Sequence, residues 1–284
     1  MGSWSAWLGR ETTSQDRLDA ALASRWCATM DRAVPADGTM PQGIHFCLCT
    51  PEAPTAALGE DGHPTRDESA ASFFPPVPQP RRMWASSKVT FLSPLTIGAR
   101  IERRSRIATI DEKSGKTGSL VFVEVDHETS ADGTPAVRER QTLVYRDAAS
   151  AEAPLSPPQP AANGVDPTGW DVHRTLVPDP RLLFRFSALT FNTHRIHYDA
   201  PYTRDVERYR GLVVHGPLMA SLLLQLAASE LGENRLESFG FRAISPAIAG
   251  EELNLLMRRE SAGLELAALA SDGREVVRAR ASLD

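Results

Sequence analysis

The stretch Val213–Leu231, VVHGPLMASLLLQLAASEL, decides the fold. Pro217 suits a first helical turn, where no amide donor is needed. From Pro217 to Leu231 apolar residues fall on nearly every side of a helix, broken by Ser221, Gln225 and Ser229. A helix that is apolar all round is buried all round, and this one is too short to span a bilayer, which takes about 20 apolar residues. Strand patterns follow it at 238–244, 251–260, 264–271 and 275–282. A sheet wrapped around one buried helix satisfies all of these patterns, and predicts an α+β unit.

The first half carries a similar β-rich tail, with strands read at 87–92, 99–110, 119–128 and 136–146. Val121, Val123 and Val125 share one face of the third. Pro94-x-x-x-Gly98-x-x-Ile101 in PLTIGARI matches Pro246-x-x-x-Gly250-x-x-Leu253 in PAIAGEEL, each between two strands. Two copies of one unit follow: residues 1–147, a linker at 148–169 marked by AEAPLSPPQPAANG, and residues 170–284. Elsewhere the pattern predicts a helix over 10–30, a Pro/Gly-rich loop over 34–82 with a short strand at 44–48, a strand at 182–189 and a short helix over 199–208.

The chain has 284 residues and a net charge of −5 with mixed signs, so nothing suggests a nucleic-acid footprint. Cys27, Cys47 and Cys49 are too few and too oddly spaced for a disulfide framework or a zinc knuckle. They read as reduced thiols, one or more of them in a strand. The first residues lack the basic-then-apolar pattern of a leader. The expectation is a cytoplasmic protein without nucleic-acid or membrane partners.

The chemistry concentrates in Phe191–Pro201, FNTHRIHYDAP. His194, His197 and Asp199 admit a metal reading, but no further ligand stands at a familiar spacing and Arg195 brings a repelling charge. A hydrogen-bonded turn with core histidines is the plainer reading. The third is proton transfer: a neutral imidazole at His197 can take a proton from water, with Asn192 positioning that water or the ring. Downstream, His215-Gly216-Pro217 opens the buried helix, where the Gly216 amide and the helix dipole suit a developing oxyanion. Together they make a plausible enolate-forming site.

FNTHRIHYDAPYT followed by VVHGPLMASLL resembles the MaoC-type hot-dog hydratases and dehydratases of acyl thioesters. Their Asp-x-Asn-Pro-x-His motif falls on Asn192, His194, Arg195 and His197, and their His-Gly pair on His215 and Gly216. The histidine matches and the carboxylate does not. With LGEDGHPTR (58–66) and PPVPQPRRMWA (75–85), most of the chain is similar to the two-repeat branch, which includes mesaconyl-C4-CoA hydratase, itaconyl-CoA hydratase and the type 2 hydroxyacyl-thioester dehydratases. The resemblance implies a double hot-dog with a degenerate first repeat and the active site in the second. It also implies reversible hydration of a 2,3-enoyl-CoA without metal or redox cofactor, on an acyl group such as itaconyl or mesaconyl. His197 would be the sole strong base, taking a proton from water and returning one at C2.

The residues add candidate supports. Arg81 and Arg82, and Arg204, Arg208 and Arg210, are the arginines available for phosphates of coenzyme A or a substrate carboxylate; Tyr198 and Trp84 are available for the acyl pocket. Ser221 bonds either the catalytic loop or its own helix. A hot-dog thioesterase and a non-catalytic acyl-CoA binding module are the alternatives. The chain as a monomeric double hot-dog or a homodimer fits equally.

Overall fold

The computed structural model describes residues 4–115, 118–161 and 164–283; residues 162 and 163 of the linker fall outside them. The first half supplies β1 (Glu11–Arg17), α1 (Ala20–Thr29), β2 (Thr39–Met40), β3 (Arg81–Phe91), β4 (Leu95–Thr96), β5 (Arg100–Gly115), β6 (Gly118–Ala131) and β7 (Thr134–Arg146). The second supplies β8 (Val172–Leu176), α2 (Pro180–Leu189), α3 (Ala200–Asp205), α4 (Gly216–Leu231), β9 (Leu236–Ala243), β10 (Leu253–Glu260), β11 (Gly263–Ala270) and β12 (Glu275–Leu283).

Ten strands form one antiparallel sheet in the order β1-β5-β6-β7-β3-β9-β12-β11-β10-β8. Read outward from the β3–β9 seam, where Ser87 pairs with Phe241 and Lys88 with Gly240, the two halves carry the same order. This is the double hot-dog: two α+β repeats, each a sheet wrapped around helices. Gly98 and Gly250, the glycines of the repeated octets, both take left-handed backbone (φ 98° and 85°) with open space around them, as a turn between strands requires.

Helix α4 is the centre. Leu218, Met219, Ala220, Ser221, Leu223, Leu224, Leu226 and Ala227 are buried, and the apolar ones share one core cluster with residues of both halves of the sheet. Each fully buried leucine contributes about 2 kcal/mol by area alone. Ser221 Oγ donates to the Pro217 carbonyl at 2.8 Å, so it bonds its own helix.

The first repeat has no counterpart of α4 among the described residues. Phe73, Phe74 and Val77 from the proline-rich segment pack instead against Ile107, Val121, Val123, Val125, Leu143 and Tyr145. Proline carries no N–H, so PPVPQP lies on an apolar surface with few donors to satisfy.

Several expected elements come out differently. Residues 10–30 are not one helix: Glu11–Arg17 pairs with β5, and the helix starts only after Asp19, whose carboxylate accepts from Leu22 N–H at 2.6 Å. Consecutive Thr12, Thr13 and Ser14 suit an edge strand, and only the later residues keep helical spacing. Residues 182–189 belong to a helix, not a strand. Asp179 caps it, Pro180 occupies its first turn, and Leu183, Phe186 and Ser187 face inward at spacings of three and four. The strand expected at 44–48 is a short 3-10 turn at Ile44–Cys47. β8 was not anticipated. Cys27 sits in α1 and Cys47 in that turn; both are buried and all three thiols are free. Among the described residues no helix is long and apolar enough to cross a membrane.

Candidate active site

Helix α2 delivers the loop 191–197, the candidate catalytic loop. Phe191, just beyond its C-terminus, takes a left-handed conformation (φ 48°), and the Asn192 N–H returns to the Ser187 carbonyl at 2.9 Å. The Asn192 carboxamide oxygen accepts from His194 N–H at 2.9 Å, closing a local turn. A 3-10 turn at Arg195–His197 follows, then α3, whose N-terminus is capped by Asp199.

His197 is buried at 7% exposure. Its Nδ1 lies 2.7 Å from the Val213 carbonyl, while Val213 N–H donates to Ile196 O at 2.9 Å. A carbonyl only accepts, so Nδ1 carries the hydrogen and Nε2 keeps the lone pair. Three residues beyond Val213 the chain enters α4, so these two bonds tie the imidazole to the helix start. Gly216 is the first helical residue, so its N–H has no partner within the helix. A Cβ there would lie 3.9 Å from the Trp84 carbonyl of the first repeat.

His215 stacks on His197, centroids 3.5 Å apart and planes 18° from parallel. Its Nε2 shares a hydrogen with Ser187 Oγ at 2.9 Å, and its Nδ1 is buried without a partner. Burial pushes the His197 imidazole down to about 4, against the opposing pull of the Val213 bond. Burial, then the charges of His197 and His194, hold His215 well below the ordinary value. Both rings are neutral at pH 7, as a stacked pair in a dry site must be.

A segment of the first repeat completes the cluster. The loop 59–63 docks on the catalytic loop. Arg195 N–H donates to Asp61 O at 2.9 Å, Arg195 Nη1 to Glu60 O at 3.0 Å, and Thr193 Oγ1 to Gly62 O at 2.5 Å. Gly62 has φ 87°, and a Cβ on it would lie 1.8 Å from the Thr193 carbonyl, so no other residue fits. This loop presents Asp61 and His63. The His63 ring packs 4.0 Å from His194, whose ring is 5.5 Å from His197. His63, His194, His197 and His215 thus form one row of imidazoles. Burial pushes the Asp61 carboxyl up, but hydrogen bonds and charge from His63 outweigh it and hold the group at about 2. Burial, then the charges of His63 and His197, push His194 down to about 2.

The matching family model, hydroxyacyl-thioester dehydratase type 2, covers residues 43–249, from within the first repeat's loop segment through α4 and β9. The chain belongs to this family. Mesaconyl-C(4)-CoA hydratase of Chloroflexus aurantiacus is 40% identical over 283 residues, 99% of this chain and 98% of its own. The mitochondrial hydroxyacyl-thioester dehydratase type 2 of Schizosaccharomyces pombe is 28% identical over 269 residues, 84% and 85% of the two chains. Among solved structures, a MaoC-like dehydratase from Phytophthora capsici superposes with a TM-score of 0.70 at 13% identity, covering 100% of this chain and 98% of that one. A Mycobacterium tuberculosis protein described as a double hot-dog superposes at 0.64, with 15% identity and 97% and 96% coverage. The protein is a MaoC-like hydratase/dehydratase acting on acyl thioesters.

Against this hydratase frame, the residues singled out in the sequence divide. His197, His215 and Gly216 meet in one place, and Asn192 stands in the adjoining turn, bonded to His194 N–H. Tyr198 is exposed at the rim. Arg81 pairs with Glu207 (2.8 Å) and donates to Val206 O. Arg208 donates to Ala153 O, and Arg210 to Glu251 and to the carbonyls of Pro157 and Pro158, stapling the linker to the loop before α4. Arg204 pairs with its neighbour Asp205. Arg82 forms no hydrogen bond or ion pair among the described residues; it lies over the Phe74 ring, and its charge is felt by His194.

Asp199 joins Arg195 in an ion pair (2.7 Å) instead of a ligand set with His194 and His197. Asp61, His63 and His194 offer ligand atoms within 4.8 Å of one another. Asp61 and His63 already share a hydrogen at 2.9 Å, which a metal would have to displace. Asp61, His63 and Ser187 escaped the residue-by-residue reading. The one signal for the first two was the stretch LGEDGHPTR, which carries no local periodicity and acquires meaning only by docking 130 residues away.

Proposed function

We propose that the chain adds water reversibly across the 2,3 double bond of a short acyl-CoA, with His197 as the base and the Gly216 amide as the oxyanion donor. The observation that carries the assignment is the Val213 carbonyl on His197 Nδ1, which leaves Nε2 as a neutral proton acceptor beside the start of α4. Nε2 takes a proton from water as its oxygen bonds to C3. The π pair moves toward the thioester carbonyl, whose oxygen gains charge. The Gly216 N–H and the helix dipole stabilise that charge in a dry setting, where one such donor contributes about 10²–10³ in rate. Protonation at C2 completes the addition. Asn192 has no proton to give or take at neutral pH and holds the turn that aims the histidines.

The acyl group we favour is a short dicarboxylic one, mesaconyl or itaconyl. Two observations support it: the 40% identity to a mesaconyl-C(4)-CoA hydratase, and Arg82, whose guanidinium is available for a substrate carboxylate. The test is loss of the enoyl-thioester absorbance with crotonyl-, mesaconyl- and itaconyl-CoA, with free thiol assayed alongside. Band loss without thiol release, reduced about 10²–10⁴-fold in His197→Ala, is the expected result. Thiol release would instead make the chain a thioesterase, and unchanged turnover in His197→Ala would remove the base.

A further inference from the structure

We propose that His63, held by Asp61, is a second proton-transfer group of this active site, contributed by the first repeat. It protonates C2 during hydration and takes that proton back during dehydration, while His197 handles the water. The inference rests on the hydratase reading and goes beyond it.

Hydration moves two protons, one off the water and one onto C2. Of the two positions the motif gives to proton carriers, only His197 can carry one here, because Asn192 stands where a carboxylate would and its oxygen is turned to His194 N–H. The Asp61–His63 pair has the parts that are missing. Asp61 Oδ1 accepts the His63 backbone N–H at 2.9 Å, and Oδ2 lies 2.9 Å from the ring Nδ1. A carboxylate only accepts, so Nδ1 carries the hydrogen and Nε2, on the opposite edge, is the reactive atom. Nε2 has no hydrogen-bond partner among the described residues, and the His63 side chain keeps 20% of its exposure, whereas His197 is buried. The two flank His194 in the row of rings. Three hydrogen bonds and the forced glycine at 62 hold the His63 loop to the catalytic loop, which is more than a surface turn requires.

The step balances. A water O–H bond breaks as His197 Nε2 takes the proton, and the oxygen bonds to C3. The C2–C3 π pair becomes the enolate, and that pair takes the proton from His63 Nε2–H to form the C2–H bond. His63 ends neutral and His197 protonated. Exchange of one proton with solvent resets both, and the Asp61 carboxylate offsets the charge of the loaded His63 imidazolium.

The test uses the full chain and the crotonyl-, mesaconyl- and itaconyl-CoA panel. His63→Gln and His63→Ala are expected to lose about 10²–10⁴-fold in kcat, with KM changed a few-fold and the thermal midpoint kept within a few degrees. Imidazole in solution is expected to restore part of the His63→Ala activity. Asp61→Asn is expected to lose about 10–10²-fold, because the carboxamide orients the ring without offsetting its charge. Turnover by His63→Gln within threefold of wild type overturns the proposal. So does a loss in His63→Ala that imidazole does not restore, which would make His63 a packing residue. One equivalent of zinc held by the wild type and lost in His63→Gln overturns it in favour of a metal site. If the wild type hydrates no member of the panel, the hydratase reading fails as well; an active wild type with an active His63→Gln sinks this inference alone.

Discussion

Asn192 is the residue at which the local geometry of the proposed site is tested. Its oxygen accepts the His194 N–H and closes the turn that carries His194. Asn192→Ala removes that acceptor. We expect a loss of about 1 kcal/mol in stability and a fall of about tenfold in kcat, read from urea melts and enoyl-CoA turnover. Asn192→Asp keeps the acceptor and adds a negative charge beside the histidines. If His197 is the base, as proposed, activity needs it neutral and is expected to fall as pH drops through about 4. A carboxylate at 192 favours the imidazolium and raises that value, so the acid limb of kcat/KM should move toward neutral pH. A limb that stays put, or moves to lower pH, would show that residue 192 does not sense His197.

At the scale of elements, the decisive contact joins loop 59–63 to loop 191–197. Gly62→Ala would drive a Cβ to within 1.8 Å of the Thr193 carbonyl at a φ of 87°, so the loop must leave its seat. We expect turnover to fall at least about 10²-fold, as befits loss of positioned groups, while far-UV circular dichroism keeps its shape. Full activity in Gly62→Ala would mean that the docked loop is dispensable. Helix α2 makes a related point. Its eight-residue run LLFRFSAL reads as a strand if the alternation is followed, yet Asp179 and Pro180 start a helix whose Ser187 serves both Asn192 and His215. Local apolar content did not distinguish the two; the capping residues two and three positions upstream did, and they carry the weight whenever a run is this short.

At the scale of the molecule, the fold buries neutral histidines. Burial lowers His45 to about 3, His127 and His197 to about 4 and His194 to about 2, and holds His215 well below its ordinary range. In the unfolded chain these groups titrate near 6.5. Between those values the unfolded chain binds more protons, so stability is full above about 6.5 and is lost as pH falls toward the folded values. Each histidine contributes up to about 1.4 kcal/mol per pH unit in that window. Urea midpoints at pH 7.5, 6 and 5 should fall steadily; a midpoint unchanged between pH 7.5 and 5 would contradict the buried neutral state.

The sequence by itself determined the buried helix α4, the paired β-rich halves and the Asn192-x4-His197 plus His215-Gly216 motif, because periodicity and short spacings are local properties of a chain. The ten-strand order, the proline-rich plug in place of a second central helix, and the meeting of Asp61 and His63 with His194 were decided by the tertiary structure. Those features depend on which surfaces exclude water together and which distant hydrogen bonds become satisfied when they do. No spacing along the chain encodes that, since Gly62 and Thr193 become neighbours only once both repeats have closed on one core.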